Sequence, residues 1–304
     1  MTAQTDLAAL ARAVRWPAVD PQDAAREALA SAGRGPRYGR LIELAVWWAS
    51  VRGDARAHPP TRVVGVGVTS PLPDPPRVEV RRIPLTPPAG TGEALDWGAS
   101  TADRLADQGV DLVLLAADHP ARRVLAAQQL GTDAVDALGW PAPEDGTRDP
   151  ARAGLIDDAR WMDEVVALRD RLRETRDLAD DAPALLDRLG SPVLAAATGL
   201  LLAAAARRTP VVLDGPGAAA VGLLVRSLAW EAPDWWQIPV HAPDRLHERV
   251  VGMMRMTPLP GPALAVEDGT AALLAVDLLA AATALLPSAG EPGPDEPATG
   301  EPNT

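Results

Sequence analysis

Cysteine and lysine are both missing from this 304-residue chain. Without a thiol there is no disulfide framework, no thiol nucleophile, no thiolate zinc site and no iron–sulfur cluster, and composition says nothing about redox compartment. All 29 basic residues are arginine, which removes the lysine of a Walker-type phosphate loop and any Schiff-base or pyridoxal-type chemistry. Positive charge is also scarce: 41 acidic against 29 basic residues leave a net −12, and only Glu291, Asp295, Glu296 and Glu301 of that excess lie in the C-terminal tail. The arginines are scattered along the sequence rather than clustered, so nucleic acid is not expected as the main partner. Long hydrophobic runs are absent too. The longest, residues 193–206, is broken by Thr198 and Gly199 and closed by Arg207 and Arg208. It falls short of the roughly 18 residues a spanning helix needs and reads as a buried helix. The first twenty residues have neither the basic start nor the apolar stretch of a signal peptide. A soluble, cytoplasmic protein is expected.

What is present is enough apolar residue, 47% of the chain, to bury a sizeable core. Residues 5–14, 22–32 and 40–51 read as helices, the third with Leu41, Leu44, Ala45 and Trp48 on one stripe. Residues 62–69 form a buried-type strand, and after a proline-rich loop residues 77–85 read as a second. The rhythm then alternates. Strands are expected at 110–116, 209–213 and 236–240, with a strand-like piece at 263–266. Helices are expected at 93–108, from about Pro120, and at 157–178, 183–189, 193–206, 218–228, 243–254 and 269–286. Apolar strands separated by helices imply a parallel sheet covered on both faces, an α/β fold with a Rossmann-like sheet. The expected division is an N-terminal helical part (1–60), an α/β domain (61–287) and a disordered tail rich in Pro, Gly and Glu (288–304).

Most local motifs have bland readings. Gly65-Val-Gly-Val-Thr-Ser70 imitates a dinucleotide fingerprint, but it lacks a third glycine and a helix start. His241 and His247 are six apart, not the spacing of a helical metal pair, and no carboxylate completes a ligand set, so no metal is expected. A solvated or hydrogen-bonded role fits both. Asp157 and Asp158 suit a helix start, where carboxylates complement the dipole. Two places resist dismissal. Val211-Val-Leu-Asp-Gly215 is a buried strand ending in Asp214-Gly215, where an open α/β sheet opens its crevice. Glu267-Asp268-Gly269-Thr270 precedes a helix, so free backbone N–H groups and two carboxylates meet there; the alternative is that Asp268 simply caps the helix with support from Thr270.

Across these residues the chain resembles the nicotinate-nucleotide–dimethylbenzimidazole phosphoribosyltransferase family. The likeness is strongest in LGSPVLAAATGLLLAAAA, TPVVLDG, PVHAPDRLH and VEDGTAALLAVDLL, and extends upstream to PRYGRLIELAVWWA and GLIDDARWMDEVVALR. The family pattern has P-V-V-L-D-G, a His-containing loop and G-E-G-T-G-A before the last helix. Pro258-Leu259 and Leu274-Ala275-Val276 set the register and place Asp268 on the family's catalytic Glu and Glu267 on the preceding Gly.

The resemblance implies a large parallel α/β domain, a small helical part, a homodimer and no cofactor. It also implies a reaction: a carboxylate takes the proton of the benzimidazole, the freed nitrogen attacks C1 of the ribose of nicotinate mononucleotide, and nicotinate leaves. Asp268 or Glu267 would be the base. Gly269, Thr270, Asp214, Gly215 and His241 would line the substrates, and Arg122 and Arg123 would hold the phosphate. The chain departs from the pattern in five places. Asp268 is one methylene shorter than Glu. GVGVTS replaces A-G-D-H-G, and AADHPARRV and GWPAPEDG replace two glycine-rich loops. Asp163-Glu164 stands where the family has Arg-Lys, setting anions near an expected phosphate. Three readings follow: an active phosphoribosyltransferase with a rebuilt phosphate site, an inactive homologue acting as a binding or regulatory partner in cobamide metabolism, or a transferase for a different, less charged substrate.

Overall fold

Three strands are buried along their whole length: β1 (Val63–Val66), β3 (Leu112–Ala116) and β4 (Val211–Asp214). Such continuous Val/Leu runs pack on both faces and so belong in the middle of a parallel sheet. They do lie there in the computed structural model, which describes residues 5–139 and 158–287. β2 (Val80–Ile83), with Arg81 and Arg82 exposed, and the two-residue β5 (Trp236–Gln237) form the edges. All pairings are parallel and the strand order is β2-β1-β3-β4-β5. In this order the chain reverses direction of travel between β1 and β3, the topological switch point at which open α/β sheets bind ligands beyond the strands' carboxyl ends.

Twelve α-helices occur among the described residues. They are α1 (Leu7–Ala13), α2 (Val19–Ser31), α3 (Arg40–Arg52), α4 (Thr91–Asp107), α5 (Arg122–Leu130), α6 (Ala134–Leu138), α7 (Asp158–Thr175), α8 (Ala182–Leu189), α9 (Pro192–Ala206), α10 (Gly215–Leu228), α11 (Arg245–Met253) and α12 (Thr270–Thr283). The long apolar run is α9, buried from Leu194 to Ala205 and started by Pro192 and by Ser191, whose Oγ accepts from the Leu194 amide at 3.2 Å. It lies backbone to backbone against α4: a Cβ on Gly98 would stand 1.9 Å from the Ala196 carbonyl oxygen, so only glycine permits this approach.

The chain divides into two compact units. The larger comprises Met1–Trp16 and Thr61–Ala275 and holds the sheet. The smaller comprises Pro17–Pro60 and the chain from Val276 on. Within the smaller unit, Leu44, Trp48 and Ala49 of α3 and Ala25 and Leu29 of α2 are buried. Trp48 Nε1 donates to the His58 carbonyl at 2.8 Å, and Arg34 to that of Leu285 at 2.8 Å.

The strand expected at 263–266 does not form. Pro258, Pro260 and Pro262 remove alternate backbone donors just before it, and a segment short of donors cannot build a ladder. Two isolated bonds remain, Leu259 N to Ile238 O at 2.9 Å and Leu264 N to His241 O at 3.1 Å. The loop expected at 141–150 and the tail expected at 288–304 lie outside the described residues.

Candidate functional site

At the carboxyl edge of the sheet, within the larger unit, β4 ends in Asp214 and turns at Gly215 (φ 77°) directly into α10. Opposite it, the turn from Glu267 to Thr270 leads into α12. This turn is held from below and from the side. Asp214, wholly buried, accepts from the Ala272 amide at 2.7 Å through Oδ2. The amides of Thr69 and Ser70, in the loop after β1, donate to the Asp268 carbonyl at 2.8 and 2.9 Å, and the Ser70 and Thr270 hydroxyls pair at 2.7 Å. The glycine-containing loop that imitates a dinucleotide fingerprint therefore spends its amides on the protein's own turn.

The two carboxylates of the turn part company. Asp268 Oδ1 accepts from the Thr270 amide at 2.9 Å, an Asx-type turn one residue ahead of the N-cap, Gly269, whose carbonyl accepts the first helical bond, from Leu273 N; Asp268 is thus not itself the cap expected from sequence. Glu267 crosses to the start of α10, where its Oε2 accepts from Gly217 N at 2.6 Å and its Oε1 lies 2.7 Å from Arg122 Nε. Its side chain is only 5% exposed. Gly215 and Gly217 make the crossing possible: a Cβ on the first would stand 2.5 Å from Glu267 Cγ, and one on the second 3.0 Å from Oε2 and 2.1 Å from the Ala117 carbonyl oxygen.

Burial dominates the electrostatics. It raises Glu267 to about 7, with the nearby charges of Asp118 and Asp244 adding to the rise, while Arg122 and the Gly217 amide oppose it. It raises Asp214 to about 6; the Asp268 charge adds to this, and the amides of Ala272, Gly269 and Ala271 work against it. A carboxylate poised near neutrality in a crevice is suited to acid–base work.

The expected phosphate-binding cations are already engaged. Besides Glu267, Arg122 contacts Asp118 at 3.3 Å, and Arg123 pairs with Glu164 at 2.9 Å. Glu164, read from sequence as an anion close to a phosphate, is thus compensated by its own arginine, while Asp163 is exposed. His241 is exposed at the rim. Of the two roles read from sequence for His247, solvated or hydrogen-bonded, the first does not hold: it is 2% exposed beside Arg122, Arg123, Pro216 and Asp244, because α11 turns its inner face toward α5 and α10. Burial, foremost, brings its pKa down to about 4, so it stands as neutral imidazole. The space among these side chains is about 10 Å³, room for one water. Asp118 was not singled out from sequence; no local signal marks it, since only the sheet order brings it to Glu267.

A parallel sheet of order 2-1-3-4-5 with two carboxylates of raised pKa, Glu267 and Asp214, at its carboxyl edge defines an open α/β protein with a candidate acid–base site there. The profile of the phosphoribosyltransferase family matches residues 87–291, and the chain belongs to this family, that of the nicotinate-nucleotide–dimethylbenzimidazole phosphoribosyltransferases. It is 39% identical over 193 residues to the enzyme of that name from Streptomyces avermitilis, covering 62% of this chain and 48% of the relative. To that of Mycobacterium avium it is 35% identical over 203 residues, covering 65% and 54%. The chain spans about half the length of the curated relatives it matches. Its fold is that of CobT from Thermus thermophilus, with a TM-score of 0.66 at 20% identity over 88% of this chain and 96% of that one. No helix among the described residues is long and apolar enough to cross a membrane.

Proposed function

We propose that this protein transfers ribose phosphate from nicotinate mononucleotide to a benzimidazole-type base, with Glu267 as the general base. The observation that carries this reading is the placement of Glu267: buried at the switch-point crevice, near-neutral in pKa, and aimed by Arg122 and the Gly217 amide. The chemistry asks for one such group. The azole N–H proton passes to a Glu267 oxygen, the nitrogen lone pair forms the bond to C1 of the ribose, and the C1–N bond to the pyridinium breaks. The leaving nitrogen takes the bonding pair back into a neutral pyridine ring, so no general acid is needed. A base poised near the working pH suits such a transfer. Because Arg122 sits on Glu267 Oε1, a substrate that reaches the base has to draw Arg122 away from it. That motion frees the guanidinium for the phosphate at the moment the base is uncovered. Asp268 then serves to close the turn, and Asp214 as its buried anchor. The homodimer that the resemblance implies and the cytoplasmic location expected from the sequence belong to the same reading.

A second reading, transfer from a less charged donor, is favoured by one observation: Arg122 and Arg123 both already hold carboxylates, so neither of these two is free for a phosphate dianion. One incubation separates the two. Purified protein is mixed with dimethylbenzimidazole and either nicotinate mononucleotide or nicotinate riboside, and nicotinate release is followed beside Glu267→Gln. Release from the mononucleotide that disappears in the variant supports the first reading; release from the riboside alone supports the second. No release from either, with a well-folded protein, overturns both.

A further inference from the structure

The arginines that look scattered in the linear sequence are gathered by helix α7 and the turn that follows it. Arg169, Arg173 and Arg176 fall at i, i+4 and i+7, one helical face. With Gln128, Thr132 and Asp133 they line a cavity of about 430 Å³, within the roughly 300–1,000 Å³ of small-molecule sites. The cavity lies at the carboxyl end of α5, whereas Arg122 stands at its start; at 1.5 Å per residue the two are about 12 Å apart along the helix. Its walls are cross-linked. Gln128 Nε2 donates to the Arg176 carbonyl at 3.3 Å, Thr175 Oγ1 to Gln128 Oε1 at 3.3 Å, and Gln129 Nε2 to the Ala179 carbonyl at 3.1 Å. From α11, Arg249 donates to Thr132 Oγ1 at 2.7 Å.

The charge balance in this cleft is opposite to that of the molecule. Three guanidinium groups face one lining carboxylate, Asp133, whose Oδ1 already accepts from the Asp136 amide at 2.8 Å. Asp170 contacts Arg169 at 3.0 Å and Arg173 at 3.6 Å, but all three are exposed, and such pairs are weak enough to yield to a ligand. Where three guanidinium groups outweigh one lining carboxylate the local attraction scales with the ligand's own charge, so a multiply charged anion gains more than a singly charged one. Guanidinium forks match phosphoryl oxygens in bidentate geometry. From Arg169 to Arg176 the charges are strung over about 10 Å, a span that fits linked phosphoryl groups better than one alone.

We propose that this cleft is a second binding site, separate from the Glu267 crevice, for a small ligand carrying two or more linked phosphoryl groups. Free polyphosphate and a nucleotide both present that chemistry. Isothermal titration at physiological ionic strength with tripolyphosphate, with ATP in the absence of metal, and with inorganic phosphate tests it. Saturable tripolyphosphate binding is expected, at least roughly tenfold weaker in an Arg173→Gln/Arg176→Gln variant of unchanged Tm and preserved in Arg122→Gln. Equal affinity for ATP means that the phosphoryl chain suffices; tighter ATP binding means that the nucleoside adds contacts; either supports the site. The proposal fails if tripolyphosphate does not saturate, if inorganic phosphate binds as tightly, or if Arg122→Gln rather than the double variant abolishes binding. Its outcome is independent of whether nicotinate is released.

Discussion

The amide of Ala272, in the first turn of α12, donates to Asp214 Oδ2 at 2.7 Å and so fastens the end of β4 to the turn that carries Glu267. Neither residue contacts the expected reacting groups, yet the bond fixes where Glu267 starts. With the strand end held by its neighbours in the sheet and the turn held by Thr69 and Ser70, the Glu267 side chain has one direction left, across Gly215 to Gly217 and Arg122.

This anchor makes stability depend on pH. Asp214 titrates at about 6 when folded and near 3.8 when unfolded, chiefly because it is buried. The folded state binds the proton more tightly, so the group's contribution is full below pH 3.8 and is lost as pH rises to about 6. The loss amounts to roughly 3 kcal/mol at 1.36 kcal/mol per unit. Asp214→Asn keeps an acceptor for Ala272 and cannot ionise. The Tm difference between variant and wild type should shift in the variant's favour between pH 4 and 6.5; a difference independent of pH would remove this account.

Glu267 gives the corresponding prediction for activity. As base it must be ionised, so kcat/KM for nicotinate release rises with pH through about 7, the value to which burial, foremost, brings it. Arg122 opposes that rise most strongly. In Arg122→Gln the acidic limb therefore moves to higher pH, besides any loss of affinity. A limb that stays in place would show that Arg122 does not set the state of the base.

The strands were legible because β1, β3 and β4 are uninterrupted apolar runs, and α9 because no other element tolerates so apolar a stretch at that length. α6, five residues opened by an Asp133 cap, is too short for periodicity to reveal. The segment before Glu267 looked like a strand from its side chains, while its prolines decided otherwise. That misreading mattered, since strand alternation would send Glu267 away from Asp268's side on grounds that do not apply to a coil. The meeting of Arg122, Asp118 and Glu267 was beyond local reading: it follows from the order of the strands, which no spacing encodes. The arginine face of α7 was encoded in a helical period, but it vanishes when charges are counted along the line.

Asp268 separates a structural role from catalysis. Its bond to the Thr270 amide closes the turn just ahead of α12, and removing such a hydrogen bond costs about 1 kcal/mol. Asp268→Asn retains the acceptor and should keep both Tm and nicotinate release within a few-fold of wild type. Asp268→Ala should lose stability first. Glu267→Gln should lower release by roughly 10²–10⁴, the share usually carried by a general base. A collapse of release in Asp268→Asn with Glu267→Gln still active would reverse the assignment.

Gly215 tests whether the position of Glu267, and not merely the strain of the turn, governs activity. Its φ of 77° disfavours any side chain, and a Cβ there would also press to 2.5 Å from Glu267 Cγ. Gly190 offers the matched control: its φ is 63°, but nothing lies within 4 Å of the same added atom. Gly190→Ala should therefore cost about 1 kcal/mol of stability through backbone strain alone and leave nicotinate release near wild type. Gly215→Ala carries the same strain and must in addition push Glu267 off the Gly217 amide. A displacement of about 1 Å can cost roughly a hundredfold in rate. The expected pair of results is two comparable drops in Tm with activity lost in only one. Equal activities would mean that Glu267 does not need the position it holds, and the base would then have to be sought elsewhere in the crevice.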